Sequence, residues 1–160
     1  MKPMGYMNSD YKIVRDPLYG YIGLTKREVD LLDTIWLQRL RRIKQLAMTD
    51  LVYPSAVHTR FEHSLGVLHV ADMMASQLKL SDHDREIART AGLLHDIGHG
   101  PFSHVFETVL EIANGKKIDH EEITLKIIDT DVIHSILADG ENIFGGCPFY
   151  ICGSKKRICS

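Results

Sequence analysis

No apolar run in this sequence is long enough to cross a bilayer, and its first residues lack the hydrophobic segment of a secretion signal. Neither a membrane span nor a leader is expected, and the chain reads as cytoplasmic. An excess of charge is also missing: 19 Lys and Arg stand against 21 Asp and Glu, for a net charge of −2. That balance supplies no general attraction to nucleic acid or to a membrane surface. Cysteine is sparse, and Cys147, Cys152 and Cys159 are odd in number and match no zinc spacing. They read as free thiols in a reducing compartment rather than as a disulfide framework. There is no internal repeat and no low-complexity tract.

What is present fits one soluble domain: 160 residues, 44% of them apolar. The chemistry concentrates in Ala91–His104. An apolar helix bearing Leu93 and Leu94 arrives at the adjacent pair His95 and Asp96, and Gly98, Gly100 and Pro101 follow as a helix stop. An imidazole beside a carboxylate suits a divalent ion such as Mn, Fe, Mg, Ni or Zn. Leu93, Leu94 and Ile97 mark the helix as mostly buried, where a charge needs a partner. His99 reads as shaping the turn between two glycines.

The rest of the chain is mainly helical. Residues 1–9 form a loose start, and short β-like runs around Asp16–Pro17 predict a hairpin. Thr25–Glu28 has the form of a capping box, opening a short helix through Leu32 and Ile35. Leu37, Leu40, Ile43 and Leu46 recur at helical spacing, so a second helix is expected to reach about Met48, with Arg39, Arg41, Arg42 and Lys44 on its solvated face. Thr59–Glu62 is another capping box, which puts His63 in the first turn of a helix running to Leu78; Ser81 caps its successor, which ends at the His-Asp pair. Two helices joined by a tight turn pack antiparallel, and at 1.5 Å per residue His63 and His95 stand within about one helical turn of each other. His63, His95 and Asp96 can therefore share one ion. Further helices follow from Ser103 to Asn114, from Asp119 to Ile128 and around Ile133–Leu137, and residues 139–160 form an irregular tail. The expected fold is all-α, a helical bundle with a small N-terminal hairpin.

Several blocks, in order, resemble the HD-domain phosphohydrolases, in their deoxynucleoside-triphosphate triphosphohydrolase branch. They are Asp16–Gly20, Leu32–Thr34, Gln38–Leu46, His58–Gly66 and His95–His104. The likeness spans Lys12 to about Ile128 and implies an HD domain over residues 10–138. It makes His63, His95 and Asp96 metal ligands. Arg60 and His104 would contact phosphates, Gln45 the sugar 3′-hydroxyl, and Leu46 would crowd the 2′ position. His120 would be the general acid, oriented by Glu107, where aspartate is usual. Lys12, Asp33, Gln38 and Arg41 match residues that bind a guanine-nucleotide activator in regulated, homo-oligomeric members. The family's fourth ligand lies in a downstream segment like Leu-Asp-x-Asp-Arg; Asp129, Asp131 and Asp139 lack that flanking pattern. The implied reaction is metal-dependent hydrolysis of deoxynucleoside triphosphates to deoxynucleoside and inorganic triphosphate. Another HD phosphohydrolase, such as a nucleotidase or phosphodiesterase, and a nucleotide-binding regulatory fragment stay open as alternatives.

Overall fold

The computed structural model describes residues 12–102, 104–117 and 119–138. The loose start, the irregular tail, the three cysteines and the His104 side chain lie outside the described residues. Strands β1 (Lys12–Asp16) and β2 (Gly20–Leu24) form an antiparallel hairpin with Lys12 opposite Leu24 and Asp16 opposite Gly20. Asp16 Oδ1 closes its turn by accepting from the amides of Leu18 and Tyr19, both at 2.8 Å, and Gly20 supplies a left-handed φ of 79°. β2 leads to Thr25, the N-cap of α1 (Lys26–Leu32), where Thr25 and Glu28 form the expected capping box.

The expected helix up to Met48 does not form. Helix α2 is short (Ile35–Gln38) and tightens into a 3-10 turn over Arg39–Arg42, and Ile43 is extended at φ −110° and ψ 111°. Tertiary pairing overrides the helical spacing. Lys44 and Thr59 form an antiparallel bridge, flanked by bonds from Gln45 N to His58 O at 3.0 Å and from Arg60 N to Ile43 O at 2.8 Å. Of the residues expected on the solvated face, Arg41, Arg42 and Lys44 are exposed, with the Arg41 guanidinium 3.6 Å from the centre of the Phe61 ring, whereas Arg39 turns inward.

Helix α3 (Arg60–Gln77) starts at a second capping box, Thr59 with Glu62. Lys79 adopts a positive φ of 53° beyond its end, and Ser81 caps α4 (Asp82–Leu94). The two pack against each other as the largest helix pair among the described residues. Their far ends are locked by charge. Arg89, 2% exposed, donates to both oxygens of Glu28 and to the Gly23 carbonyl, and it reaches Asp72 at 3.0 Å; Arg85 also binds Asp72 at 2.6 Å.

Three further helices complete the bundle: α5 (His104–Asn114), α6 (His120–Ile128, capped by Asp119) and α7 (Asp131–Ala138). One core joins β2, α1–α4, α6 and α7, with Leu31, Leu37, Leu40, Leu68, Leu93, Leu94, Ile97 and Ile133 all fully buried. The result is the expected all-α domain with one small hairpin.

Candidate active site

Helix α4 stops at Leu94, one turn before Gly98, with His95 as its C-cap and Asp96 in the turn that follows. Gly98 is therefore no left-handed cap: among the described residues the positive-φ glycines are Gly20 and Gly115. Its task is to leave room. A Cβ there would sit 2.2 Å from the His120 carbonyl oxygen and 2.5 Å from the Thr124 amide, so only glycine lets α6 press onto the turn. The Gly98 amide donates to Thr124 Oγ1 at 3.0 Å.

That turn delivers Asp96, 6% exposed, to the start of α3. Arg60 Nη1 donates to Asp96 Oδ2 at 2.5 Å, both side chains being buried. His63 Nε2 lies 3.7 Å from Oδ2, and His95 Nε2 lies 3.2 Å from Oδ1. His95 Nδ1 donates to the Gly92 carbonyl at 2.8 Å, which commits the Nε2 lone pair to the Asp96 side. One donor atom from each of His63, His95 and Asp96 thus falls within 4.8 Å of the others. Burial, helped by the neighbouring His95 and the Arg60 charge, holds the His63 imidazole below its ordinary pKa against the pull of Asp96. Burial acts to raise Asp96, but His95 and Arg60 outweigh it, so the carboxylate stays ionised. Two imidazoles beside an ionised carboxylate are the donor set a divalent ion takes, and the three residues fit one.

The structure brings the two remaining chemical residues alongside. His120 Nδ1 meets Glu107 Oε1 at 3.0 Å, so the longer side chain of glutamate still reaches. His99 links the two groups. Its ring stacks on His120 with centroids 3.8 Å apart, its Nε2 lies 3.5 Å from Asp96 Oδ1, and its Nδ1 lies 3.5 Å from Glu107 Oε1. Burial first, then the Arg60 charge, pushes His99 down to about 4, so it is neutral at physiological pH. Sequence reading gave His99 only a turn-shaping role. The signal available was its spacing of three residues from Asp96 and one residue from Gly98.

The other expected site residues are more dispersed. Gln45 and the exposed Leu46 follow the Lys44–Thr59 bridge. Lys12 is exposed on β1, and Asp33 caps the C-terminus of α1. Gln38 and Arg41 are joined, with Arg41 Nε donating to Gln38 Oε1 at 2.9 Å, while Gln38 Nε2 donates to the Leu32 carbonyl. A groove of about 440 Å³ opens beside His63, walled by Pro17, Leu18, Tyr19, His58, Val67 and Val70. No helix among the described residues is long and apolar enough to cross a membrane.

A His-Asp pair following a buried helix, met by a histidine from the partner helix, is the mark of an HD domain. The HD domain family model matches residues 60–139, half of the chain, and the chain belongs to this family. Among its relatives is a protein of Dictyostelium discoideum named deoxynucleoside triphosphate triphosphohydrolase SAMHD1 homolog, 40% identical over 126 residues, which are 74% of this chain and 24% of that protein. Human deoxynucleoside triphosphate triphosphohydrolase SAMHD1 is 45% identical over 103 residues, 60% of this chain and 16% of its own length. The uncharacterized protein YwfO of Bacillus subtilis is 42% identical over 140 residues, 81% of this chain and 31% of its own. The chain spans between a sixth and a third of these relatives.

Proposed function

We propose that this domain hydrolyses deoxynucleoside triphosphates to deoxynucleoside and inorganic triphosphate with a divalent metal ion. The observation that carries the reading is the placement of the His120–Glu107 pair against the His63, His95 and Asp96 cluster, bridged by His99. The names of the Dictyostelium and human relatives support the substrate class.

A divalent ion held by His63, His95 and Asp96 would act as a Lewis acid on a phosphate oxygen and acidify water. Arg60 fixes the orientation of Asp96, and its fork of donors suits phosphate oxygens at the same edge. Glu107 accepts from His120 Nδ1 and so leaves Nε2 to deliver the proton. The oxygen of a water molecule bonds to the α-phosphorus as the 5′ oxygen departs, and His120 gives its proton to that leaving oxygen, which yields deoxynucleoside and inorganic triphosphate. A positioned acid of this kind is worth about 10²–10⁴-fold, because an alkoxide leaves poorly. The mostly apolar groove beside His63 suits the nucleoside end rather than the triphosphate. Gln45, Leu46 and His104 complete the proposed substrate contacts. Lys12, Asp33, Gln38 and Arg41 form the proposed guanine-nucleotide activator site, in a cytoplasmic homo-oligomer.

The test is product analysis by phosphorus NMR with dGTP and Mn²⁺, on the wild-type chain and on Asp96→Asn and His120→Asn. Inorganic triphosphate from the wild type alone is the expected result. Monophosphate or pyrophosphate as product would transfer the chain to another class of HD phosphohydrolase. Nucleotide-dependent stabilisation without turnover would make it a binding module.

A further inference from the structure

Arg39 is the side chain whose placement departs furthest from its sequence pattern. It sits in the 3-10 turn after α2, and its guanidinium reaches across 60 residues of sequence to donate from Nη1 to the His99 carbonyl at 2.7 Å. Its Nη2 donates to the Ile97 carbonyl. Those two carbonyls follow Asp96 directly, in the turn where α4 has already ended. The turn's own backbone contributes bonds from Ile97 to Leu94 and from His99 to Asp96, both at 3.1 Å.

This is a costly way to hold a turn. The guanidinium is half-withdrawn from water, and burial lowers its pKa. No carboxylate bonds to it, and its buried Nε has no hydrogen-bond partner among the described residues. Neutral carbonyls compensate a buried cation only in part, and an apolar side chain of similar volume would cost less. What the guanidinium does, and an apolar residue does not, is fix two carbonyls at once in a defined geometry. The same segment also reaches the other arm of the site: Ile43 O accepts from the Arg60 amide, and Arg41 lies over Phe61. Asp96 is thus held through its side chain by Arg60, and the backbone that follows it is held at Ile97 and His99 by Arg39.

We propose that Arg39 is a positioning residue for the metal centre, clamping the Ile97 and His99 carbonyls so that His95 and Asp96 stand in register with His63. The inference rests on the metal-centre reading above and extends it to a residue that touches neither ion nor substrate. Residues that orient metal ligands typically change affinity about 10–100-fold when replaced.

Cobalt(II) is the probe, because its visible spectrum reports ligand geometry without turnover. Wild type, Arg39→Lys, Arg39→Met and His95→Ala are titrated with cobalt, and hydrogen exchange is followed in the metal-free proteins. His95→Ala is expected to lose the spectrum. Arg39→Met should bind about 10–100-fold more weakly with altered bands, and Arg39→Lys should recover part of the loss, since an ammonium reaches one carbonyl but does not bridge two. Exchange should rise across residues 94–101 while α3 stays protected. Wild-type affinity and spectrum in both Arg39 variants, with His95→Ala silent, would overturn the role of Arg39 and leave the metal centre standing. Exchange rising throughout α3 and α4 in the Arg39 variants would reduce Arg39 to a general structural support. Unchanged cobalt binding by His95→Ala would remove the metal centre and the inference together.

Discussion

Replacing Gly98 by alanine adds one methyl group at the point where two parts of the site meet. The new carbon would lie 2.2 Å from the His120 carbonyl oxygen and 2.5 Å from both the amide nitrogen and the hydroxyl of Thr124. Two of those three atoms are backbone, so no rotamer change relieves the clash, and α6 must move. Overpacking of this kind costs about 1–3 kcal/mol. Losing the bond from the Gly98 amide to Thr124 Oγ1 adds about 1 kcal/mol. The sum, about 2–4 kcal/mol, lowers the melting temperature of a domain of this size by about 5–15 °C. Thermal unfolding followed by far-UV circular dichroism reads it directly. Because His120 opens α6, the same displacement also separates it from Glu107 or from His99. A Gly98→Ala protein melting within about 2 °C of wild type would refute the close approach of α6 to the His-Asp turn, and with it the geometry of the dyad.

Three other outcomes follow from the same contacts. Gly66→Ala should stabilise by about 0.5–1 kcal/mol in urea denaturation, because the site is helical, φ is ordinary, and the nearest atom, Tyr19 Cε2, lies at 3.4 Å. Glu107→Gln should lower kcat at least about 10-fold while leaving cobalt affinity unchanged, since Glu107 orients His120 and is not among the three ligands. Burial acts to raise Asp72, but its bonds to Arg85 and Arg89 outweigh burial and hold it below 3.8. A carboxyl whose folded pKa is lowered stabilises above its unfolded value and loses that contribution as pH falls through the folded one. The stability gap between wild type and Asp72→Asn should therefore be constant from about pH 5 to 8 and close below about pH 4.

Much of this fold is local and was readable as such. Thr25 with Glu28 and Thr59 with Glu62 are capping boxes within four residues, and a helix start of that kind depends on little else. The meeting of His63 with His95 and Asp96 followed from arm lengths about one tight turn. The failures are all long-range. Leu37, Leu40, Ile43 and Leu46 keep a helical period that the Lys44–Thr59 bridge interrupts, and no pattern within 37–48 announces a partner at 59. Arg39 reads as a surface residue because its acceptors are peptide carbonyls, which every residue possesses. Gly98 looked like a helix stop because the backbone of α6, which gives it its reason, lies over twenty positions downstream. His99 was passed over for the same cause: its neighbours Glu107 and His120 arrive from two later helices.

The Lys44–Thr59 bridge also governs which changes this domain tolerates. It pinches off residues 46–57 as a loop whose two ends are tied beside Arg60, so changes within the loop need not propagate to the cluster around Asp96. Lengthening a pinned loop is cheap, since each doubling costs only about 0.6 kcal/mol of closure entropy. Leu46, Met48, Leu51, Val52, Tyr53 and Val57 are already exposed, so replacing them empties no core. The bridge therefore uncouples two parts of the chain: residues 46–57 can be replaced or lengthened while the backbone on either side of Arg60, and with it the cluster around Asp96, keeps its place.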